Sequence, residues 1–336
     1  MTQTVIVTGA QGQDGFYLTR RLLDNGFRVV ATGRRRLQED QMLPVMHEEG
    51  NLESLIESNE SMLHYEICDL RDASRVFELV HTHKPDFVFN LASISSPAEC
   101  WQNPSGAIAN DTSAFINLIE AVRSLNRETR IVQACTSAIY KASHKPISES
   151  SQILPSSPYA IAKYASYSMG KQYASRYGMW ISNAIMFNHE SIRRPLSFVT
   201  RKITRGVVDI ILGRKKEIRL LSKSPVRDWG WADEFMDAFF RISQLDKPDD
   251  FVLATGVGAS VGEFAEYVCA LGNISPSRFL KSNDGEGAKP AREVIDASVG
   301  LPIKAREILN WSAKVNWREV AEKMFSHDLR VEGNKV

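Results

Sequence analysis

Tyr159 and Lys163 stand four residues apart in Ser157-Pro158-Tyr159-Ala160-Ile161-Ala162-Lys163. On a helix that spacing puts both side chains on one face, a turn apart. A phenol with a pKa near ~10 is a poor acid or base at neutral pH. An ammonium beside it favours the phenolate, and is expected to bring the phenol towards a working acid–base range. The pair gains meaning from its company: a glycine-rich turn close to Met1, and Thr136-Ser137 at the end of a predicted strand. Together these read as machinery for hydride transfer.

The turn is Gly9-Ala10-Gln11-Gly12-Gln13-Asp14-Gly15, directly after the apolar run 4–8. Gly9 permits the tight bend, Gly12 lets backbone approach a pyrophosphate, and Gly15 lets helix and sheet pack closely. The helix that follows presents free N–H groups to the phosphates. After the second predicted strand comes Gly33-Arg34-Arg35-Arg36. An NAD site carries a carboxylate there for the ribose 2′-hydroxyl, whereas guanidinium groups suit a 2′-phosphate. Arg34 and Arg35 therefore predict NADP as the cofactor. Asp69, after the third strand, is placed either to meet the adenine edge or to cap the next helix.

Bulk properties narrow the classes. With 336 residues, 43% of them hydrophobic, the chain has length for a large core and two lobes. A net charge of +1 implies neither nucleic acid nor an anionic membrane as partner. No run approaches the ~20 apolar residues of a membrane span, and Met1-Thr2-Gln3-Thr4 leads straight into a strand. The four cysteines lie far apart without a CxxC, which suits a reducing cytoplasm. His81 and His83 lack the i, i+4 spacing of a helical metal pair, so no metal is expected.

The elements that must position these residues alternate. Strands are predicted at 4–8, 28–32, 64–67, 87–90, 130–134 and 180–186. Helices are predicted at 9–25, 73–81, 105–124 and 158–177. That pattern demands a doubly wound parallel sheet covered on both faces, a Rossmann-type α/β fold. Beyond Phe187 the alternation breaks down. Helices are expected at 197–212, 233–245, 302–309 and 317–325, and strands at 217–221 and 251–254. A capping box at Ser260-Val261-Gly262-Glu263 opens a helix to about 271. Residues 282–289 read as a flexible loop and 326–336 as a polar tail. The expected division is a cofactor domain at 1–190, to which 228–256 returns, and a smaller α/β substrate domain from 191–227 and 257–330.

These residues resemble an extended short-chain dehydrogenase/reductase, and within it the GDP-mannose 4,6-dehydratase family. The likeness also rests on Phe187-Asn188-His189-Glu190-Ser191-Ile192-Arg193-Arg194, Phe198-Val199-Thr200-Arg201-Lys202-Ile203, Arg227-Asp228-Trp229-Gly230 and Ala254-Thr255-Gly256-Val257. It runs to about Trp311. The resemblance implies that Thr136 bonds the sugar 4-hydroxyl, that Tyr159 exchanges its proton, and that Lys163 holds the nicotinamide ribose. It places Arg193 near the cofactor, and Asn188, Lys202 and Arg227 on the nucleotide diphosphate of a GDP-sugar. Asn188 could instead cap a turn, and Arg227 could join the two lobes as an ion pair. Ser95 is a candidate sugar contact. Relatives dimerise through helices equivalent to 105–124 and 158–177, which implies a homodimer. The loop from Leu37 departs from the one that supports tetramers.

One departure bears on the reaction. In the dehydratases a glutamate stands where this chain has Ala138. Once C4 is a ketone, that carboxylate removes the C5 proton so that the C6 hydroxyl can leave. Lys141, Ser96 and Trp231 also depart from the family's glycine and two histidines. Glu149 matches a more widely shared loop glutamate, and Glu99 is a remote candidate base. Hydride transfer at C4 needs only Thr136, Tyr159, Lys163 and the nicotinamide. The sequence therefore favours an NADP(H)-dependent oxidoreductase, a 4-keto reductase or epimerase, acting on a GDP-hexose or its 4-keto-6-deoxy derivative. A dehydratase using another base is the alternative, and a catalytically silent NADP-binding homologue the third reading.

Overall fold

A computed structural model describes residues 2–37, 50–125, 128–282 and 296–333. Its main sheet grows from strands that are apolar on both sides. In β1 (Thr4–Thr8), Val5 and Val7 point into one hydrophobic cluster and Ile6 into the cluster on the opposite face. A strand buried on both faces suits a parallel sheet sandwiched between helix layers. The first half runs β1, α1 (Gln13–Asp24), β2 (Arg28–Gly33), α2 (Leu52–Ser58), β3 (Leu63–Ile67), α3 (Ala73–His83) and β4 (Phe87–Asn90). Short helices α4 (Pro97–Gln102) and α5 (Pro104–Ile108) precede α6 (Ala114–Ser124). Then come β5 (Arg130–Thr136), α7 (Pro158–Tyr177), β6 (Ile181–Met186) and β7 (Asn188–Glu190).

The remainder is α8 (Val199–Ile211), β8 (Ile218–Leu220), β9 (Val226–Trp231), α9 (Ala232–Ser243), β10 (Phe251–Leu253) and β11 (Gly258–Ser260). After them follow α10 (Val261–Leu271), α11 (Pro276–Phe279), β12 (Leu280–Ser282), β13 (Ala297–Ser298), α12 (Ile303–Leu309) and α13 (Trp317–Gly333). Seven parallel strands form the main sheet in the order β10-β6-β5-β4-β1-β2-β3. This is the doubly wound Rossmann architecture. The winding reverses between β1 and β4, and a crevice at such a switch point is where ligands bind. Helices α1 and α9 cover one face, and α3 and α6 the other.

A second, smaller assembly stands beyond the carboxyl ends of the strands. There β9 pairs with β7, β11 and β13. Helices α8, α10 and α13 pack together around Ile203, Val207, Phe264 and Met324. The capping box is present: Ser260 Oγ accepts the Glu263 N–H at 3.0 Å, and Glu263 returns to the Ser260 N–H at 2.7 Å.

Two expectations need correcting. Residues 326–333 are not a polar tail but the last turns of α13, with His327, Asp328 and Glu332 buried. The two carboxylates meet cations and a hydroxyl on and just beyond α8. Asp328 meets Arg201 at 2.8 Å and Thr204 at 2.7 Å, and Glu332 meets Arg205 at 2.8 Å and Arg214 at 2.7 Å. The helix predicted over 105–124 is broken by a π-helical turn at Ala109–Ser113. The short strands β7, β9, β11 and β13 had no periodic signal in the sequence. The loop expected at 282–289 and the segment after Leu37 lie, beyond Ser282 and Leu37, outside the described residues. Among the described residues, no helix is long and apolar enough to cross a membrane, and no three His, Cys, Asp or Glu side chains gather as metal ligands.

Candidate active site

The carboxyl ends of β1, β4 and β5 open onto two clefts that share a wall of Asp14, Leu91, Ser93, Ser95 and Arg194. The first cleft is built on the glycine turn. Gly9 has φ +68°, and a Cβ there would come within 2.9 Å of the Ala92 backbone nitrogen, so β1 and the segment after β4 meet backbone to backbone. Gly12 caps α1 without a side chain, which leaves the helix start open. This cradle fits the phosphates of a dinucleotide.

The sequence-predicted cofactor residues Gly9, Gly12, Gly15, Arg34, Arg35, Asp69 and Arg193 all line this cleft. Arg34 reaches Asn110 Oδ1 at 2.9 Å, and the Arg35 carbonyl accepts the Tyr65 hydroxyl at 2.6 Å. Asp69 is gripped by Arg71, whose hydrogen bonds hold its carboxyl below the usual range despite partial burial. Capping of α3 falls to Asp72, which accepts the Ser74 and Arg75 N–H groups at 3.0 and 3.1 Å. Arg193 is buried, with its guanidinium 3.2 Å from the Phe16 ring centroid and bonded to the Gly50 carbonyl at 2.6 Å.

Helix α7 carries Tyr159 and Lys163 into the second cleft. Ser157 caps it through the Ala160 N–H at 3.2 Å, and Pro158 occupies its first turn. Small buried residues Ala160, Ala162, Ser166 and Gly170 let the helix lie close to its neighbours. Lys163 Nζ donates to the Ala134 carbonyl at 3.2 Å and stands 3.1 Å from Asp111 Oδ1. Asp111 lies in the π-helical turn and is as buried as the lysine. Thr136 hydrogen-bonds the Tyr159 phenol, and its Oγ1 also accepts the Ala138 N–H at 3.2 Å.

The electrostatics correct a sequence expectation. Removal of the Tyr159 ring from water raises its pKa. Lys163 and the Thr136 bond oppose that rise, but Asp111 adds to it, and the net direction is up. For Lys163, burial pulls the pKa down, while Asp111 and Tyr159 more than compensate and hold the ammonium. The lysine's charge is thus shared with a carboxylate that the helical pattern alone did not bring into view. The signal was present: Asp111 lies four residues before Phe115 and seven before Leu118, on an otherwise apolar stripe. Burial pushes the thiol of Cys135, beside Thr136, up to about 12, which disfavours its thiolate form.

Ser95, Asn188 and Arg227 line the same cleft as Thr136, Tyr159 and Lys163. Asn188 sits on β7, where its backbone is paired with that of Trp229. Arg227 meets Asp296 at 2.6 Å. Lys202 is not brought to this wall. It is exposed on α8. Ala138 is an exposed methyl in the cleft. Among the described lining residues the carboxylates are Asp14 and Asp296, paired with His189 and Arg227. Glu149 accepts the Val252 N–H at 2.8 Å, and Glu99 lies on α4, outside the lining.

Comparison with known proteins agrees with this arrangement. A family model described as GDP-mannose 4,6 dehydratase matches residues 6–324. The chain is 33% identical to GDP-mannose 4,6-dehydratase of Vibrio cholerae, over 98% of this chain and 95% of that one. It is 34% identical to GDP-mannose 4,6 dehydratase 2 of Caenorhabditis elegans, over 97% and 89%. Solved structures share the fold. UDP-glucose 4-epimerase of Thermotoga maritima with UDP-glucose superposes with TM-score 0.81 at 21% identity, covering 98% and 99% of the two chains. RMD from Pseudomonas aeruginosa complexed with NADPH gives 0.77 at 17%, covering 98% and 100%. With the glycine cradle, the Tyr159–Lys163 helix and a match over nearly its whole length, the chain belongs to the GDP-mannose 4,6-dehydratase family, on the extended short-chain dehydrogenase/reductase fold.

Proposed function

We propose that this chain is an NADP(H)-dependent oxidoreductase acting at C4 of a GDP-linked hexose or its 4-keto-6-deoxy derivative, by ketone reduction or epimerisation. One observation carries the reading. The cleft keeps Thr136, Tyr159 and Lys163 together, while the position beside them holds the methyl of Ala138. Tyr159 gives its proton to the C4 oxygen in reduction and takes it back in oxidation. Thr136 orients that oxygen, and Lys163, held charged by Asp111, stabilises the phenolate and bonds the nicotinamide ribose. A nicotinamide, when bound, supplies the hydride chemistry. Arg34 and Arg35, at the end of β2, receive a 2′-phosphate, which favours NADP over NAD. Asn188 and Arg227 grip the diphosphate and Ser95 the sugar, while Lys202, exposed on α8, does not line this cleft.

The second reading is a 4,6-dehydratase. Its support is the match to proteins of that name over 98% of the chain. Against it stands the missing base, since loss of a positioned general base costs ~10²–10⁴ in rate. The test is to incubate the protein with GDP-mannose and, separately, with its 4-keto-6-deoxy product and NADPH, and to weigh the products. Gain of two hydrogens on the second substrate supports the proposal. Loss of water from the first supports the dehydratase, and no change in either favours a silent homologue.

The proposed assembly is a homodimer formed through α6 and α7. Ile161 and Tyr177, each 48% exposed on α7, supply apolar surface there. All four cysteines are free and buried, which fits a reducing cytoplasm. The proposed domain division keeps 1–190 with 228–256 as the cofactor unit and 191–227 with 257–330 as the substrate unit, although Trp229 packs in the core of the second unit and Ala305, Leu309 and Trp311 in that of the first.

A further inference from the structure

His189 lies at the seam between the two clefts, and both its ring nitrogens face oxygen acceptors. Nδ1 is 2.7 Å from the Phe187 carbonyl and Nε2 is 3.0 Å from Asp14 Oδ2. A neutral imidazole carries one N–H and can satisfy one of these partners; only the imidazolium donates to both. The geometry therefore selects the charged ring. The groups facing it come from three directions. Asp14 approaches from α1, Arg194 from the segment after β7, and Phe235 stacks on it from α9 at 4.8 Å. Burial pulls the imidazole's pKa down and Arg194 adds to that. Asp14 and the Phe187 carbonyl push it up, and the net direction is up.

Asp14 is the second residue of α1 and belongs to the walls of both clefts. An unpaired carboxylate there would repel the phosphates that the helix start attracts. Paired with an imidazolium it presents no net charge. The neighbouring Gln13 strengthens the same joint. Its Nε2 donates to the His189 carbonyl at 3.1 Å, and its Oε1 accepts the Ser191 hydroxyl at 2.8 Å. The start of α1 and strand β7, which carries Asn188, are thus one hydrogen-bonded unit.

We infer that His189 is a positioning residue: as an imidazolium it neutralises Asp14 and fastens the Asn188 strand to the glycine turn, so that dinucleotide affinity depends on its proton. The inference rests on the glycine turn being a dinucleotide phosphate site. Its sign follows from the raised pKa. The pair is intact below the histidine's raised pKa and is lost as pH climbs through it, so affinity falls on the alkaline side.

The test is fluorescence titration with NADPH and with NADH, from about pH 6 to about pH 10, of the natural protein, His189→Gln, Asp14→Asn and the double variant. Glutamine keeps a donor for Asp14 and removes the charge. His189→Gln should weaken binding about tenfold at neutral pH. The ratio of natural to variant affinity, which cancels the titration of the 2′-phosphate itself, should shrink towards one as pH rises. Asp14→Asn should lose the alkaline fall, and the double variant should recover most of the affinity. A ratio flat across pH, or a double variant as weak as His189→Gln, overturns the inference. Natural protein that binds neither dinucleotide overturns it together with the reading of the turn, and that failure is told apart by the first titration alone. If His189→Gln does not fold, as judged by its thermal transition, Asp14→Asn decides the matter, since its affinity must lack the alkaline fall.

Discussion

Asp111 Oδ1 stands 3.1 Å from Lys163 Nζ, a carboxylate and an ammonium both withdrawn from water. Removing one member of such a pair strands the other charge, which costs about 3–5 kcal/mol. Asp111→Ala should therefore lower the unfolding free energy by that order in urea denaturation. Because the Lys163 pKa is raised, the stabilisation is complete at neutral pH and lost as pH climbs through the folded-state value. The gap between natural protein and variant should narrow in strong alkali. Asp111 also opposes ionisation of Tyr159. Asp111→Asn should lower the phenol's pKa, read by ultraviolet difference titration against Tyr159→Phe.

Ala138→Glu puts a carboxylate beside Thr136 and Tyr159. The variant should dehydrate GDP-mannose at a rate raised by ~10²–10⁴, read as loss of water in the product mass. Reduction of the 4-keto-6-deoxy sugar should persist. A variant without dehydration would place the obstacle in the other departures, Ser96, Lys141 or Trp231.

Arg34 and Arg35 separate the two dinucleotides. Arg34→Ala and Arg35→Ala should each weaken NADPH about tenfold to a hundredfold, the range of one charge-assisted hydrogen bond. NADH binding should change little. Equal loss for both dinucleotides would mean that these side chains support the turn and do not read the 2′-phosphate.

Gly9→Ala meets two penalties at once: φ +68°, and a Cβ 2.9 Å from the Ala92 nitrogen. Strain of this kind costs about 1–3 kcal/mol. The thermal transition should fall and dinucleotide affinity with it, because the same turn forms the cleft. Gly178→Ala shares a positive φ of +65° but has open space around it, so it should lose stability without losing cofactor.

Asp328→Ala tests the last turns of α13. It removes the partner of buried Arg201, whose pKa burial already pulls down, and a hydrogen bond from Thr204. A loss of about 3–5 kcal/mol is expected, measured by denaturant unfolding. A chain with a polar, solvated end there would lose almost nothing.

The sheet could be read in advance because its signal is local. Val5, Ile6 and Val7 form an unbroken apolar run, and Gly9, Gly12 and Gly15 follow it at once. Tyr159 and Lys163 were legible for the same reason, since a helical repeat fixes their relation. What escaped depends on partners distant in sequence. Asp328 and Glu332 look like solvated charges until α8 brings Arg201 and Arg205 to them. Asp111 acquires its meaning only when Lys163, 52 positions on, is packed against the π-helical turn. Strand β7 is three residues long and gets its register from β9. Lys202 was placed by likeness alone, and its side chain faces solvent.

The Thr136 hydroxyl takes its orientation from the main-chain N–H of residue 138, and a peptide group is the same whichever side chain hangs from it. A mutation there can add or delete an acid without turning the threonine away from its tyrosine. The threonine hydroxyl and the side chain at position 138 are therefore set independently on one bend of backbone, so the chemistry offered at 138 can change while the threonine keeps its place.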